Sequence, residues 1–318
     1  MISVQDDSIN TVKILFTGLD KSGKSSIILT LLRDSSTILE LKPTRGAKYR
    51  DFEFLGMRIA EWDLGGQKVY RKAYLNNEPE KILGGTEILL FVIDIQDKER
   101  ISEALDYLND IYEQFELLNI QPLIYVFFHK YDPVSMIGSQ IKAEINNFSL
   151  ELRKRIKELL DYPKLEFYKT SIHDYQTIIV ALSKILLKQN PKSQIIKNII
   201  VDFSERLEID ALELIDDNSL IMGSFYKNSH VEKLMNAITP FFLEVNEIFE
   251  KVSFSQPYHD EIEDEMMIHK FGKYFLFKKF SLEQLESDFY LLNCKSDMFF
   301  NKDDFKIFVN LIKEILRN

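Results

Sequence analysis

The stretch Gly18-Leu19-Asp20-Lys21-Ser22-Gly23-Lys24-Ser25 limits what this chain can fold into more than any other. Two glycines frame four residues and are followed by Lys and Ser. Before them runs Val12 to Thr17, a short, largely apolar segment that reads as a β-strand, and after them Ser26 to Leu32 continues as a helix. A backbone that turns between a strand and a helix in this way points successive N–H groups inward at the positive end of the helix dipole. Such a turn is an anion cradle. Lys24 adds a point charge, and the Ser25 hydroxyl can ligate Mg²⁺. The candidate phosphate-binding residues are therefore Gly18, Asp20, Lys21, Ser22, Gly23, Lys24, Ser25 and Ser26.

The segments that follow alternate between strands and helices. Tyr49 to Phe54 and Met57 to Asp63 read as a hairpin turning at Leu55-Gly56. Glu87 to Asp94 and Pro122 to Phe128 are nearly continuous apolar runs, as expected of strands buried on both faces of a parallel sheet. Between them Ile101, Leu105, Leu108, Ile111, Tyr112 and Phe115 make one apolar helical stripe. A helix from about Gly138 to Leu160, a strand Leu165 to Thr170 and a helix Thr177 to Leu187 complete a doubly wound α/β domain over 1–190.

The unusual residues all stand at strand ends. Asp63, leaving its strand before Leu64-Gly65-Gly66-Gln67, is placed where a carboxylate supports Mg²⁺. Thr44, in a Pro/Gly-punctuated loop, is a second candidate hydroxyl ligand. The N–H of Gly66 is positioned for a third phosphate, and Gln67 for orienting an attacking water. In His129-Lys130-Tyr131-Asp132, the Asp132 carboxylate can accept from the ring N–H and exocyclic amine of guanine together, and the Lys130 stem can cover the base. Loss of the third phosphate would release the loops that hold it, which makes a switch. Leu41 stands three residues before Thr44, where an arginine in cis would sit. Slow basal hydrolysis awaiting an external arginine is therefore expected.

After Asn190-Pro191-Lys192-Ser193 the order changes. A helix from Ile195 to Leu207 precedes two strands, Ala211 to Ile215 and Leu220 to Phe225. A long helix follows with Val231, Leu234, Met235, Ile238, Phe242, Val245, Ile248, Phe249 and Val252 on one face. Beyond the acidic run Asp260 to Glu265, two or three strands (Met266 to Phe280, Phe289 to Asn293) and a helix, Asp303 to Leu316, close the chain. This pattern reads as a small antiparallel α+β domain over 191–318, with part of the long helix and a sheet edge available for dimerisation. It holds no catalytic constellation.

With a net charge of −10 and a pI near 5.2, nucleic acid and anionic membranes are disfavoured as main partners. The single cysteine, Cys294, sits in an apolar stretch and reads as a core residue. No basic-then-apolar leader or membrane-spanning run is present, so a cytoplasmic protein is expected, with any membrane association borrowed from a partner. The histidines His129, His173, His230, His259 and His269 have no zinc-ligand spacing.

Together the Gly-Leu-Asp-x-x-Gly-Lys-Ser loop and Trp62-Asp63-Leu64-Gly65-Gly66-Gln67 resemble both Arf-like and Rag/Gtr GTPases. His129-Lys130-x-Asp132 and Thr170-Ser171-Ile172-x-Asp174 resemble the Rag/Gtr family specifically. That resemblance implies a P-loop GTPase sheet followed by a smaller α+β roadblock/longin-like domain. By it, Lys24 would bind the β- and γ-phosphates of GTP or GDP, and Ser25, Thr44 and Asp63 would hold Mg²⁺. His129, Lys130 and Asp132 would read guanine, with Ser171 and Ile172 closing over the base. It also implies a homo- or heterodimer through the second domain, an activating protein, an effector, and a membrane-bound roadblock-type scaffold in nutrient signalling. Two other readings are a pseudo-GTPase scaffold with structural nucleotide, and an Arf-like trafficking GTPase, which the missing Gly at position 2 disfavours.

Overall fold

The computed structural model describes residues 11–31, 44–55, 57–77, 79–253, 265–282, 287–298 and 300–317. Leu32, Leu41 to Pro43, Gly56, His259 and the acidic run up to Asp264 lie outside them. The chain divides into two compact units, Met1–Ala181 and Leu182–Asn318.

In the first unit six strands form one sheet: β1 (Thr11–Thr17), β2 (Ala47–Phe54), β3 (Met57–Leu64), β4 (Ile88–Asp94), β5 (Leu123–His129) and β6 (Leu165–Lys169), in the order β2-β3-β1-β4-β5-β6. Only β2 is antiparallel to its neighbour. Strand β4 runs through the middle, and Ile88 to Val92 are fully buried, because helices cover both faces of a parallel sheet and leave no polar side to alternate with. Helix α1 (Lys24–Leu31) follows β1. Two short helices, α2 (Lys68–Asn76) and α3 (Pro79–Leu83), follow β3. A 3₁₀ turn at Lys98–Arg100 leads into α4 (Ile101–Leu117), whose stripe Ile101, Leu105, Leu108, Ile111 and Phe115 is buried as its spacing predicts, with Tyr112 half-buried at its margin. Helices α5 (Val134–Ile137) and α6 (Ser139–Leu160) follow, and α7 (Gln176–Gln189) runs across the division between Ala181 and Leu182. From β1 the sheet grows one way through β3 and the other way through β4. The crevice at the carboxyl ends of these strands is where such sheets hold ligands.

Sequence patterning misses α2, and the reason is composition. It buries only Arg71 and Tyr74, so a cation stands where an apolar stripe would be read.

The second unit is a five-stranded antiparallel sheet, β7 (Ala211–Asp216), β8 (Ile221–Tyr226), β9 (Glu265–Lys270), β10 (Lys273–Leu282) and β11 (Ser287–Lys295), ordered β8-β7-β11-β10-β9. Strands β9 and β10 are separate because the chain reverses at Phe271-Gly272, both with positive φ (56° and 69°), the conformation of the tightest hairpin turns. One sheet face packs on α9 (Ser229–Ser253) around Val231, Met235, Phe242, Phe275, Phe277, Tyr290 and Cys294. Phe242 stacks on Phe277 (5.3 Å between centroids, 3° between planes), which stacks in turn on Tyr290. Helix α8 (Lys192–Arg206) lies against β8, and its Phe203 packs on Phe305 and Phe308 of α10 (Lys302–Arg317). Among the described residues no helix is long and apolar enough to cross a membrane.

Candidate functional site

The carboxyl ends of β1, β3, β5 and β6 open into a cavity of about 380 Å³. Of the residues singled out from the sequence, Asp20, Lys21, Gly23, Lys24, Ser25, Ser26, Thr44, Gly66, Gln67, His129, Lys130, Asp132 and Ile172 line it, together with His173. Gly18, Ser22, Asp63 and Ser171 stand behind that lining. Two lining residues, Lys21 (φ 62°) and Lys130 (φ 59°), hold the left-handed conformation, a local strain that ordered binding loops carry.

At the loop after β1, the Lys24 ammonium is almost wholly buried and donates to the carbonyls of Gly18 (3.1 Å) and Leu19 (2.8 Å). Burial lowers its pKa to about 8, against the opposing pull of Asp63 and Asp20. A phosphate placed beside it would restore the stability of the ammonium.

Three oxygens converge next to it. Ser25 Oγ lies 2.8 Å from Thr44 Oγ1 and donates to Asp63 Oδ2 at 2.8 Å, and Thr44 Oγ1 lies 3.1 Å from the same carboxylate oxygen. Asp63 Oδ1 is buried and has no hydrogen-bond partner among the described residues. Two hydroxyls and a carboxylate with a spare oxygen, beside a phosphate cradle, form the donor set of a hard cation that keeps part of its water shell. They fit Mg²⁺.

The His129–Asp132 motif is held from behind. Asp132 Oδ1 accepts from Ser171 Oγ (2.6 Å) and Oδ2 from Gln96 Nε2 (2.8 Å), while Gln96 also donates to the Lys130 carbonyl (2.7 Å). Lys130 pairs with Asp94 at 2.5 Å. Ser171 gives its N–H to Thr177 Oγ1, so this residue supports Asp132 and leaves the lining to Ile172. Each carboxylate oxygen of Asp132 retains acceptor capacity. Asp94, the last residue of β4, and Gln96, two residues beyond it, are marked by no motif and could be found only through the pairing Asp94↔His129.

His129 stands where the sequence predicts a base-reading residue, but its ring meets the phosphate loop. Nδ1 is 3.0 Å from Thr170 Oγ1, and the Cδ2 edge of the ring lies where a Cβ on Gly23 would be, at 2.2 Å. Burial, with Lys130 nearby, lowers its pKa to about 4. The unfolded chain takes up this proton near pH 6.5 and the folded chain only near pH 4. The unfolded state thus binds more protons within that window, and stability falls as pH falls from 6.5 to 4, by up to about 3 kcal/mol. The urea midpoint followed by fluorescence of Trp62, the sole tryptophan, is expected to drop over this range. His129→Asn is expected to flatten the slope; an unchanged slope would show that His129 does not carry it.

Gln67 precedes α2 at its N-cap position, with no hydrogen bond from its side chain to the helix, and so faces the cavity. Two arginines that the sequence did not mark stand close by. Arg71 donates through Nε to the Gly66 carbonyl (2.9 Å), and Arg100 through Nη2 to Asp20 Oδ1 (2.7 Å).

A family model described as the Gtr1/RagA G protein conserved region matches residues 13–255, well over half of the chain. The chain belongs to the Gtr1/RagA family. Ras-related GTP-binding protein A of Dictyostelium discoideum is 26% identical over 240 residues, spanning 73% of this chain and 77% of its own length. ADP-ribosylation factor-like protein alp41 of Schizosaccharomyces pombe is 32% identical over 138 residues, 43% of this chain and 69% of its own. Among solved structures, the Arl6 BBS3 small GTPase of Trypanosoma brucei, with a bound nucleotide analogue GppNp, covers 56% of this chain and 96% of its own. Its identity is 18% and its TM-score 0.42. The Gtr1/RagA chain described here is a small regulatory GTPase, and guanine nucleotide is the ligand its family implies.

Proposed function

We propose that this Gtr1/RagA chain is a switch that holds GTP or GDP with Mg²⁺, hydrolyses GTP slowly and signals as a dimer built on residues 191–318. The observation that carries the reading is the gathering of the phosphate loop, the Ser25–Thr44–Asp63 oxygens, Gln67 and the Asp132 carboxylate around one cavity. Lys24 and the loop amides would take the phosphates, and Gly18 and Ser22 would shape the loop. Ser25, Thr44 and Asp63 would hold Mg²⁺, which supplies charge neutralisation on the phosphates when bound. Asp132 would select guanine under the stem of Lys130, with His129 bracing the loop, Ser171 fixing Asp132 and Ile172 closing the lining. Gln67 would orient the attacking water and Gly66 would sense the third phosphate.

The dimer reading rests on the second unit. Phe241, Ile248 and Phe249 are exposed along α9, and β9, with Met267 exposed, stands at one edge of the sheet. A partner's matching helix and edge would cover both. By its family the protein would act in nutrient signalling, seated at a membrane by a scaffold and switched by an activating protein that supplies an arginine.

Fluorescent GTP and GDP are expected to bind with Mg²⁺ in clear preference to ATP, and Asp132→Ala is expected to erase that preference. Slow GTP turnover is expected, and Gln67→Leu should stop it. Equal binding of ATP would end the guanine reading, whereas binding without any turnover would favour a scaffold with structural nucleotide. In sedimentation of the full chain at micromolar concentration a dimer is expected; a monomer in both nucleotide states would remove self-association and leave only pairing with a different subunit.

A further inference from the structure

The two arginines belong to a closed ring of contacts that begins and ends at Asp20. The Asp20 carboxylate accepts from Arg100 Nη2 at 2.7 Å. Arg100 Nε donates to Glu103 Oε2 at 3.1 Å, and Glu103 Oε1 accepts from Arg71. Arg71 Nε then donates to the Gly66 carbonyl at 2.9 Å, and the N–H of Asp20 donates to that same carbonyl at 3.0 Å. The ring holds two carboxylates and two guanidinium groups, so its formal charge is zero. Arg71 is buried, with its guanidinium 4.9 Å from the Tyr107 ring, and the Tyr107 hydroxyl lies 2.9 Å from Thr17 Oγ1. The side of the ring at Arg71 is thereby fixed to the sheet, while Arg100 reaches Asp20 from the turn before α4.

Asp20 is an awkward residue for a phosphate cradle. It lines the nucleotide cavity beside Gly66, and no side chain could intervene there, since a Cβ on Gly66 would lie 2.3 Å from the Asp20 amide nitrogen. An unpaired carboxylate at this place would repel a polyphosphate, and most strongly the phosphate nearest Gly66. Burial alone would raise the Asp20 pKa, but the hydrogen bond and charge of Arg100 offset it and hold the carboxyl below its usual range, so it is ionised at neutral pH.

We propose that Arg100 is a positioning residue that sets the preference for GTP over GDP, by cancelling the charge of Asp20 and keeping the Gly66 peptide against the phosphate loop. The proposal rests on the reading of Gly66 as the sensor of the third phosphate. Without Arg100 the ring carries a net negative charge, and GTP, with one more charge than GDP close to Asp20, suffers more. At a separation of about 6 Å and an effective dielectric between those of protein surface and water, the extra repulsion amounts to a factor of roughly 3 to 100 in affinity.

The test is the ratio of GTP to GDP affinity, measured with fluorescent nucleotides and Mg²⁺ on the full chain. Arg100→Ala is expected to lower the ratio by about tenfold. Adding Asp20→Asn to it returns the ring to neutrality and is expected to recover most of the ratio. Arg100→Lys, which keeps the charge and loses the fork, is expected to fall between the parent and Arg100→Ala. Equal losses for GTP and GDP in Arg100→Ala, or no recovery in the double variant, would overturn the proposal and leave Arg100 as a packing residue. Should Arg100→Ala fail to fold, Arg100→Gln with and without Asp20→Asn reads the same ratio. A parent protein that binds neither nucleotide would instead overturn the site reading itself.

Discussion

Replacing Gly23 by alanine is expected to lower nucleotide affinity by roughly 2–5 kcal/mol, a loss of about 30-fold or more. Two costs add at this position. Gly23 has a φ of +98°, where an L side chain is strained, and its Cβ would stand 2.2 Å from His129 Cδ2 and 2.6 Å from Nε2. The His129 ring cannot readily retreat, because it is buried and its Nδ1 is engaged with Thr170. The phosphate loop must therefore move, and Lys24 and Ser25, the next two residues, move with it. Fluorescent GDP binding in Mg²⁺ checks this. Gly23→Ala combined with His129→Ala relieves the clash and leaves the strain, so a partial return of affinity is expected; none at all would mean that the strain alone accounts for the loss.

Phe242→Ala is expected to destabilise the second unit by about 3–5 kcal/mol. Its ring is fully buried and begins the stack that runs through Phe277 to Tyr290, joining α9 to β10 and β11. The two units can be followed separately in the full chain. Trp62 lies on β3, so its fluorescence reports the first unit, whereas far-ultraviolet circular dichroism reports both. In urea the dichroism transition is expected to split or broaden toward lower denaturant, with the Trp62 transition nearly unmoved. A Trp62 midpoint that shifts equally would show that the units unfold as one.

Much of the candidate site was legible because each of its parts is local. A strand, a glycine turn and a helix lie within residues 12–32, and buried strands announce themselves as apolar runs whose next residues are polar. Asp63, His129 and Asp132 thus stand out in the sequence as polar residues at strand ends, although the inward turn of the His129 ring does not. What escaped depends on pairing across the fold. Gln96 earns no notice until β4 lies beside β5, and Arg71, Arg100 and Glu103 are separated in sequence yet meet through one carboxylate. No motif marks them, since Arg71 lies on α2, Arg100 in the turn before α4 and Glu103 in the first turn of α4. In the second unit the stretch Met266 to Phe280 reads equally as one strand or two, because Phe271 hides the reversal: a bulky residue is rare where φ is positive.

Cys294 turns the second sheet into its own chemical clock. The thiol sits on β11 between β7 and β10, opposite Ala211 and Phe275, with no exposed surface, and burial pushes its pKa up to about 12. An alkylating reagent at pH 8 therefore meets neither an accessible sulfur nor an appreciable fraction of thiolate while β11 stays paired. The chain carries no other cysteine, so slow modification counts openings of that one sheet. A cysteine introduced at an exposed position would, on the time scale of labelling, be the single reactive thiol in the folded protein.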